Sequence, residues 1–466
     1  MMKIKNLMYV LMGTMLVATS CSDAELENGN GGSGTVDPVN ASALVSVYSD
    51  KSGSEASLLA GDVLVKDTRA LTLNVPAACE KVYMKYNTVS GTEIMKEFAL
   101  SPVSRSGDNL GKDFNFETNR LASVTLALPE DAVQPTDETD AGYLFYHNTG
   151  VVMFEDGWPT EMASWYDDDY NDVVFEYDLK VTECQSAEQM ALQGSKEELL
   201  LTLDVRAVGG IYPTALGVVL EGLDKKFVDR VTASLVLKAG QGMMTDLVKK
   251  ELSADDVVTI EKRGWNWEDN RVKDKERYAK LSVDKSQTEG TVILLDGLVD
   301  LRDDNAEMFQ VTKGAVKEGL PMLRAEVRLI GKEGLTVQDR KAQLEAFRSL
   351  ILNTNRQNFF IKVKDTTSPN AKDKEVHMKG YAPTSAYKSD YDALVQGNAS
   401  LDANIPYSNV QGSTWGVKVP VGTRHAYESV PFKEAYKDFP DWVDSKGTTN
   451  KNWYEKFTDE KTVRYW

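Results

Sequence analysis

The feature that most constrains this chain is an apolar period of two that returns along most of its length. Val173, Phe175, Tyr177, Leu179 and Val181 alternate with Val174, Glu176, Asp178, Lys180 and Thr182. Leu199, Leu201, Leu203, Val205 and Ala207 form a second such face, and Val231, Ala233, Leu235 and Leu237 a third. Successive side chains of a strand point to opposite faces, so each run puts one face in a core and the other in water. Val63 and Val65, Leu71-Leu73-Val75, Val82-Met84-Tyr86 and residues 121–129 repeat the pattern nearer the start. Residues 292–295, 325–330 and 359–364 are further strand candidates. Strand after strand with turn residues between them is the pattern of a sandwich or jelly roll. The expected fold is mainly β, in two sandwich-like or jelly-roll-like modules with a few short helices. One helix is expected from Gln338 to Ile351, with Leu344, Phe347, Leu350 and Ile351 on one face. Another is expected after Ser429 as cap, with Pro431 early, Phe432, Tyr436 and Phe439 along a core stripe, and Pro440 as its limit.

A chain of 466 residues has room for two or three domains. The acidic, proline-containing stretch 130–140 reads as a linker. It separates an N-terminal β-sandwich, 39–130, from a β-rich domain, 140–466.

The start of the chain carries an address. Lys3 and Lys5 precede an apolar run from Leu7 to Val17, and the run closes on Ala18-Thr19-Ser20-Cys21. A cationic start, an apolar core and small residues at a cleavage point make a secretory signal. The apolar core is shorter than the roughly 20 residues of a membrane span. A cysteine at that point resembles a bacterial lipobox, in which the thiol is lipidated and the preceding residues are removed. Residues 1–20 thus read as a lipoprotein signal peptide, with a chance cysteine after an ordinary signal as the alternative. Residues 21–38, rich in Gly, Ser and acids, have too little apolar surface to fold and read as a flexible tether. Asp23, Glu25 and Glu27 resemble the export signal that takes some Bacteroidetes lipoproteins to the cell surface. The expected location is the outer membrane, held by the lipid, with the body exposed at the surface.

Charge excludes one class of partner. The net charge of −18 becomes −20 once Lys3 and Lys5 leave with the signal. Such a chain repels nucleic acid, whose phosphates need many cationic contacts. Cys79 and Cys184, left after Cys21 is lipidated, are placed either to pair outside the cytoplasm or to stand as buried thiols. His147, His377 and His425 have no metal-ligand spacing with one another or with cysteine, which argues against zinc. No phosphate loop, nucleophile elbow or cytosolic redox pair is present.

The strongest chemical signal is Trp165-Tyr166-Asp167-Asp168-Asp169-Tyr170-Asn171-Asp172-Val173. Asp167, Asp169 and Asn171 sit at alternate positions, like the first three side-chain ligands of a calcium loop. The sharp-turn glycine of an EF-hand is replaced by Asp172, and the following chain reads as a strand. Asp178, at the twelfth position, would lie roughly 20 Å away along that strand. Glu155 and Asp156, upstream of a turn at Gly157, are better placed to complete the site. The expected metal set is therefore Asp167, Asp169, Asn171, Asp172, Glu155 and Asp156, with calcium as the cation. The alternative is an Asx-type turn in which Asp169 and Asn171 bond the backbone. Trp265-Asn266-Trp267 reads as a loop anchor, with a sugar platform as its alternative.

These residues carry a resemblance. Phe154-Glu155-Asp156-Gly157-Trp158-Pro159, followed by Asp167-Asp168-Asp169-Tyr170-Asn171-Asp172-Val173-Val174, resembles the LruC-domain family of bacterial envelope lipoproteins. Asn358-Phe359-Phe360-Ile361, Glu375-Val376-His377-Met378, Pro383-Thr384, Trp415-Gly416-Val417, 433–439 and Trp453-Tyr454 resemble its later motifs in order. The resemblance covers roughly 140–460 and implies an envelope lipoprotein of Bacteroidetes or Leptospira type, with no activity to carry over. The chain departs from the family in lacking a proline in the Asn-Phe-Phe-Ile segment and in having Tyr166 where glycine is preferred. The expected role is non-enzymatic: binding, adhesion or envelope structure, with an extracellular protein or glycan as partner. The alternative is a glycan-binding module or glycoside hydrolase, which needs two carboxylates flanking a sugar.

Overall fold

The computed structural model describes residues 42–463 except 55–56, 67–68, 77–78, 101–120, 134–141, 161–167, 185–196, 240–242, 253–256, 266–276, 299–310, 315–321, 353, 369–370, 446–448 and 451. The chain divides between Asp37 and Pro38, and every described residue lies in the part Pro38–Trp466. The lipobox Cys21, the tether, Asp167, Asn266 and Trp267 lie outside the described residues.

The alternating runs become strands. In chain order these are β1 (Ala43–Tyr48), β2 (Leu58–Val65), β3 (Ala70–Pro76), β4 (Lys81–Asn87), β5 (Glu93–Ala99), β6 (Leu121–Ala127), β7 (Tyr143–Phe154), β8 (Val173–Cys184), β9 (Glu198–Ala207) and β10 (Pro213–Glu221). There follow β11 (Val228–Ala239), β12 (Met243–Leu252), β13 (Val257–Trp265), β14 (Arg277–Asp284), β15 (Gly290–Asp296), β16 (Met322–Gly331), β17 (Gln357–Val363), β18 (Lys374–His377) and β19 (Gly416–Val419). The helices are few and short: α1 (Val337–Leu352), α2 (Lys388–Gln396), α3 (Phe432–Ala435) and α4 (Phe439–Asp444). The mainly β fold expected from the periodicity is the fold observed.

An 11-stranded sheet runs β12-β11-β16-β9-β8-β7-β2-β1-β4-β5, with β19 beside β7. A six-stranded sheet runs β13-β14-β15-β10-β17-β18, and β3 pairs with β6. The two larger sheets meet through aromatic side chains. Phe359 of β17 packs against Phe175 and Tyr177 of β8, at ring separations of 5.6 and 4.6 Å. Such pairs add about 0.5–1.5 kcal/mol each beyond their burial. Val173, Phe175, Tyr177, Leu179 and Val181 are all buried, as their spacing requires.

The boundary expected at 130–140 does not interrupt the sheet. Ala60 and Gly61 of β2 pair with Leu144 and Tyr143 of β7. The β3–β6 pair lies against β2 and β7, and the sheet that holds β1, β2, β4 and β5 continues into β7. The edge of β2 satisfies main-chain donors and acceptors against β7, which a free-standing sandwich would leave to water.

Helix α1 lies over the inner face of β7 and β8. Thr336 starts it, accepting the Asp339 N–H at 3.1 Å and donating its hydroxyl to the Asp339 carboxylate at 2.7 Å. Phe347, Leu350 and Ile351 form its buried face. Two buried carboxylates hold it: Glu183 meets Arg348, and Glu197 accepts from Arg340 at 2.7 Å and from Gln343 at 2.9 Å.

Candidate functional site

The acidic residues meet where β7 ends and β8 begins, since Phe154 pairs with Val173. Asp168 and Tyr170 take left-handed φ angles of 51° and 54°. That zigzag turns the flanking main-chain groups toward different neighbours. Asp169 accepts the Asn171 N–H at 3.1 Å and the Ser429 N–H at 2.8 Å. Glu155 accepts the Tyr170 N–H. Asp172 accepts the Asp156 N–H at 2.7 Å, and Asp156 accepts the Tyr212 N–H at 3.2 Å. Asn171 donates its side-chain amide to the Ala426 carbonyl at 3.3 Å. Main-chain bonds reinforce the joint. Gly209 and Gly210 donate to the carbonyls of Asn171 and Asp172, Phe432 donates to that of Asp168, and Glu155 donates to that of Trp415.

The result is a staple of four segments: 154–156, 168–173, 209–212 and 414–432. Glu155, Asp156, Asp169 and Asn171 are all buried in it. Charge-assisted bonds from carboxylate to main-chain N–H are stronger than neutral ones, which suits them to a joint without regular pairing. Tyr170 is wholly buried beside them and donates its hydroxyl to the Thr414 carbonyl at 2.6 Å. Burial, then the charges of Asp168 and Glu155, push its phenol well above the ordinary range. Its ring packs on Phe432 and Phe439, at 5.1 and 5.9 Å, beneath the C-terminal aromatic cluster. The stripe of Phe432, Tyr436 and Phe439 is core, as expected.

The structure thus brings Glu155, Asp156, Asp169, Asn171 and Asp172 into one junction, and the carboxylates of Glu155, Asp156, Asp169 and Asp172 each meet main-chain N–H groups. Among the described residues no group of three or more His, Cys, Asp or Glu side chains is placed to hold one metal ion. The Asx-type turn is the geometry at Asp169 and Asn171. Cys79 is a free, half-buried thiol whose pKa burial pushes up. The side chain of Cys184 lies outside the described residues. Asp178 stands on β8, 3.4 Å from His147 of β7, and takes no part in the junction.

Sequence reading missed Gly209 and Gly210. A Cβ on Gly209 would lie 2.1 Å from Asn171 Oδ1, and one on Gly210 would lie 2.6 Å from Asp156 Oδ2 and 2.7 Å from Asp172 Oδ1. Only glycine lets the chain pass so close to the acids. The available signal was a Gly-Gly pair directly after the alternating face that ends at Ala207.

Residues 197–454 match the family described as a domain of unknown function, DUF4842. The chain belongs to this family. The match takes in the two glycines and the C-terminal arm of the junction and begins after the acidic loop. A crystal structure of a candidate lipoprotein from Bacteroides ovatus is 72% identical, covering 91% of this chain and 99% of that one, with a TM-score of 0.77. A structure of carbohydrate-binding modules from the β-sandwich superfamily matches at 10% identity over 63% of this chain and 80% of that one. Its TM-score of 0.15 carries no argument. No curated protein matches the chain significantly. Among the described residues no helix is long and apolar enough to cross a membrane.

Proposed function

We propose that this DUF4842 protein is a lipid-anchored envelope protein, tethered through Cys21 to the outer membrane with its body at the cell surface. Its role is non-enzymatic: adhesion, binding of an extracellular protein or glycan, or envelope structure. The observation that carries the reading is the Bacteroides ovatus relative, a candidate lipoprotein alike over nearly its whole length. The acidic junction agrees with it. Carboxylates that accept main-chain N–H groups in a buried joint serve architecture, whereas glycoside hydrolysis needs two of them facing a sugar. The resemblance of the motifs to LruC-domain lipoproteins supports the same address. The test is metabolic labelling with a fatty-acid probe in the native host, followed by protease treatment of whole cells. Label on the wild type, none on Cys21→Ser, and loss of the body to external protease are expected. Equal labelling of both, or a body shielded from protease in intact cells, rejects the anchor or the exposure respectively.

A second reading has one observation in its favour. Asn171 Oδ1 is fully buried and accepts no hydrogen bond among the described residues. A calcium ion drawing on Asp167 and on that oxygen would satisfy it. Hydrogen exchange with and without calcium separates this reading from a joint of N–H donors alone.

A further inference from the structure

Three of the later motifs, Asn358-Phe359-Phe360-Ile361, Glu375-Val376-His377-Met378 and Pro383-Thr384, converge away from the acidic junction, on β17, β18 and the turn that starts α2. His377 is fully buried there. Its Nδ1 lies 2.7 Å from Asn358 Oδ1, and its Nε2 lies 3.2 Å from Glu375 Oε2. Asn358 is oriented by its own amide nitrogen, which donates to the Ala382 carbonyl at 3.0 Å. The atom it turns to the ring is therefore an acceptor. Glu375 meets two more donors, the Thr384 N–H at 3.0 Å and the Thr384 hydroxyl at 2.8 Å. Against its burial, the imidazole and the two Thr384 bonds hold the carboxyl below its ordinary range, so it is ionised at neutral pH. Both ring nitrogens of His377 face acceptors, and each needs a proton.

The surroundings favour that charge. Phe360 stacks on the imidazole at 4.6 Å and 15°, and Tyr407 lies at 5.0 Å and 33°. Aromatic faces attract a cation. Gly217, Phe360 and His377 pair in turn across β10, β17 and β18. A Cβ at Gly217 would lie 2.4 Å from the Phe360 ring, so the stack depends on the glycine.

We propose that His377 is held as an imidazolium donating from both nitrogens, the buried counter-ion of Glu375, and that the pair is a proton-dependent latch on the start of α2. Thr384, gripped twice by Glu375, offers its own carbonyl to the N–H groups of Tyr387 and Lys388, from which α2 winds. The other groups around the ring are Glu221 from β10, Tyr387 at the head of α2, and Tyr407 from the loop after it. Lys379 gives its ammonium to the Gly412 carbonyl at 2.6 Å. Burial is the largest influence on the ring and pulls its pKa below the ordinary imidazole value, against Glu375 and Glu221, which raise it; the two acceptors that face its nitrogens argue the other way. Burial raises the pKa of Glu375, and His377 with Thr384 outweighs it, leaving the carboxyl below its ordinary range. The count of donors and acceptors places the balance on the charged ring. A proton bound more tightly folded than unfolded stabilises fully below about pH 6.5 and is lost as pH rises through the folded value. Its loss sets a lone pair against an acceptor and leaves a buried carboxylate without its counter-ion.

The test is imidazole-nitrogen NMR of the mature chain labelled in its three histidines, with melting followed against pH. At neutral pH both ring nitrogens of His377, assigned by their absence in His377→Gln, are expected to carry protons. The melting temperature is expected to fall as pH rises above neutrality, with a slope that Glu375→Gln flattens. A single protonated ring nitrogen at neutral pH, or the same slope in Glu375→Gln, overturns the proposal. Should either variant fail to fold, His147→Gln and His425→Gln complete the assignment and the wild-type spectrum decides alone.

Discussion

At Gly210 the geometry permits a sharp prediction. A methyl group there would press on Asp156 Oδ2, which accepts the Tyr212 N–H, and on Asp172 Oδ1, the neighbour of the oxygen that accepts the Asp156 N–H. Overpacking costs about 1–3 kcal/mol, and each buried N–H left unpaired costs about as much. Gly210→Ala is expected to lose at least about 2 kcal/mol in urea denaturation. Gly397→Ala is the control: its φ is −84° and its nearest neighbour lies at 3.4 Å, so a change within about 0.5 kcal/mol is expected. The acids of this joint were legible because four aspartates crowd the short run 167–172. Their partners were not. Ser429, which donates to Asp169, is 260 residues further along the chain, and nothing local marks a main-chain donor supplied from that distance.

At the scale of the element, the strand reading succeeded at β8 and β9 and failed at β10 and β19. β8 and β9 alternate cleanly. β10 and β19 do not: nearly every residue in them is buried, so no period of two survives. α2 buries only Tyr391 and left no apolar stripe to find. The C-terminal helix was expected as one piece limited by Pro440. It is two, because Tyr436 is extended at φ −130°, and Pro440 sits in the first turn of α4, where a missing N–H costs nothing. Ser429 has a φ of 60° and caps no helix; its N–H serves Asp169. α1 offers a test of how such elements are held. Arg348, 33% exposed, pairs with Glu183, 2% exposed. Breaking a buried pair strands the carboxylate, and the partly wet guanidinium tempers the loss. Arg348→Ala is expected to cost about 2 kcal/mol in chemical denaturation, with part of it recovered when Glu183→Gln is added. A loss under about 0.5 kcal/mol would mean that the apolar face alone holds the helix.

Across the molecule, strand periodicity gave the layers but could not give their connection. The link between the N-terminal strands and the rest is a two-residue pairing, Ala60 and Gly61 with Leu144 and Tyr143, too short to leave a pattern in either strand. The acidic junction does at the other end of β7 what that pairing does at its start: it joins segments far apart in the chain through main-chain donors. The most direct measurement is amide hydrogen exchange on the mature chain, without and with calcium, in wild type and Asp169→Ala. The N–H groups of Asp156, Tyr170, Tyr212 and Ser429 are expected to be protected in calcium-free buffer and unchanged by calcium. Asp169→Ala is expected to speed exchange at Asn171 and Ser429 by at least about tenfold. Rapid exchange at these amides in the calcium-free wild type, slowed only when the ion is added, would contradict a joint built from the protein's own N–H groups.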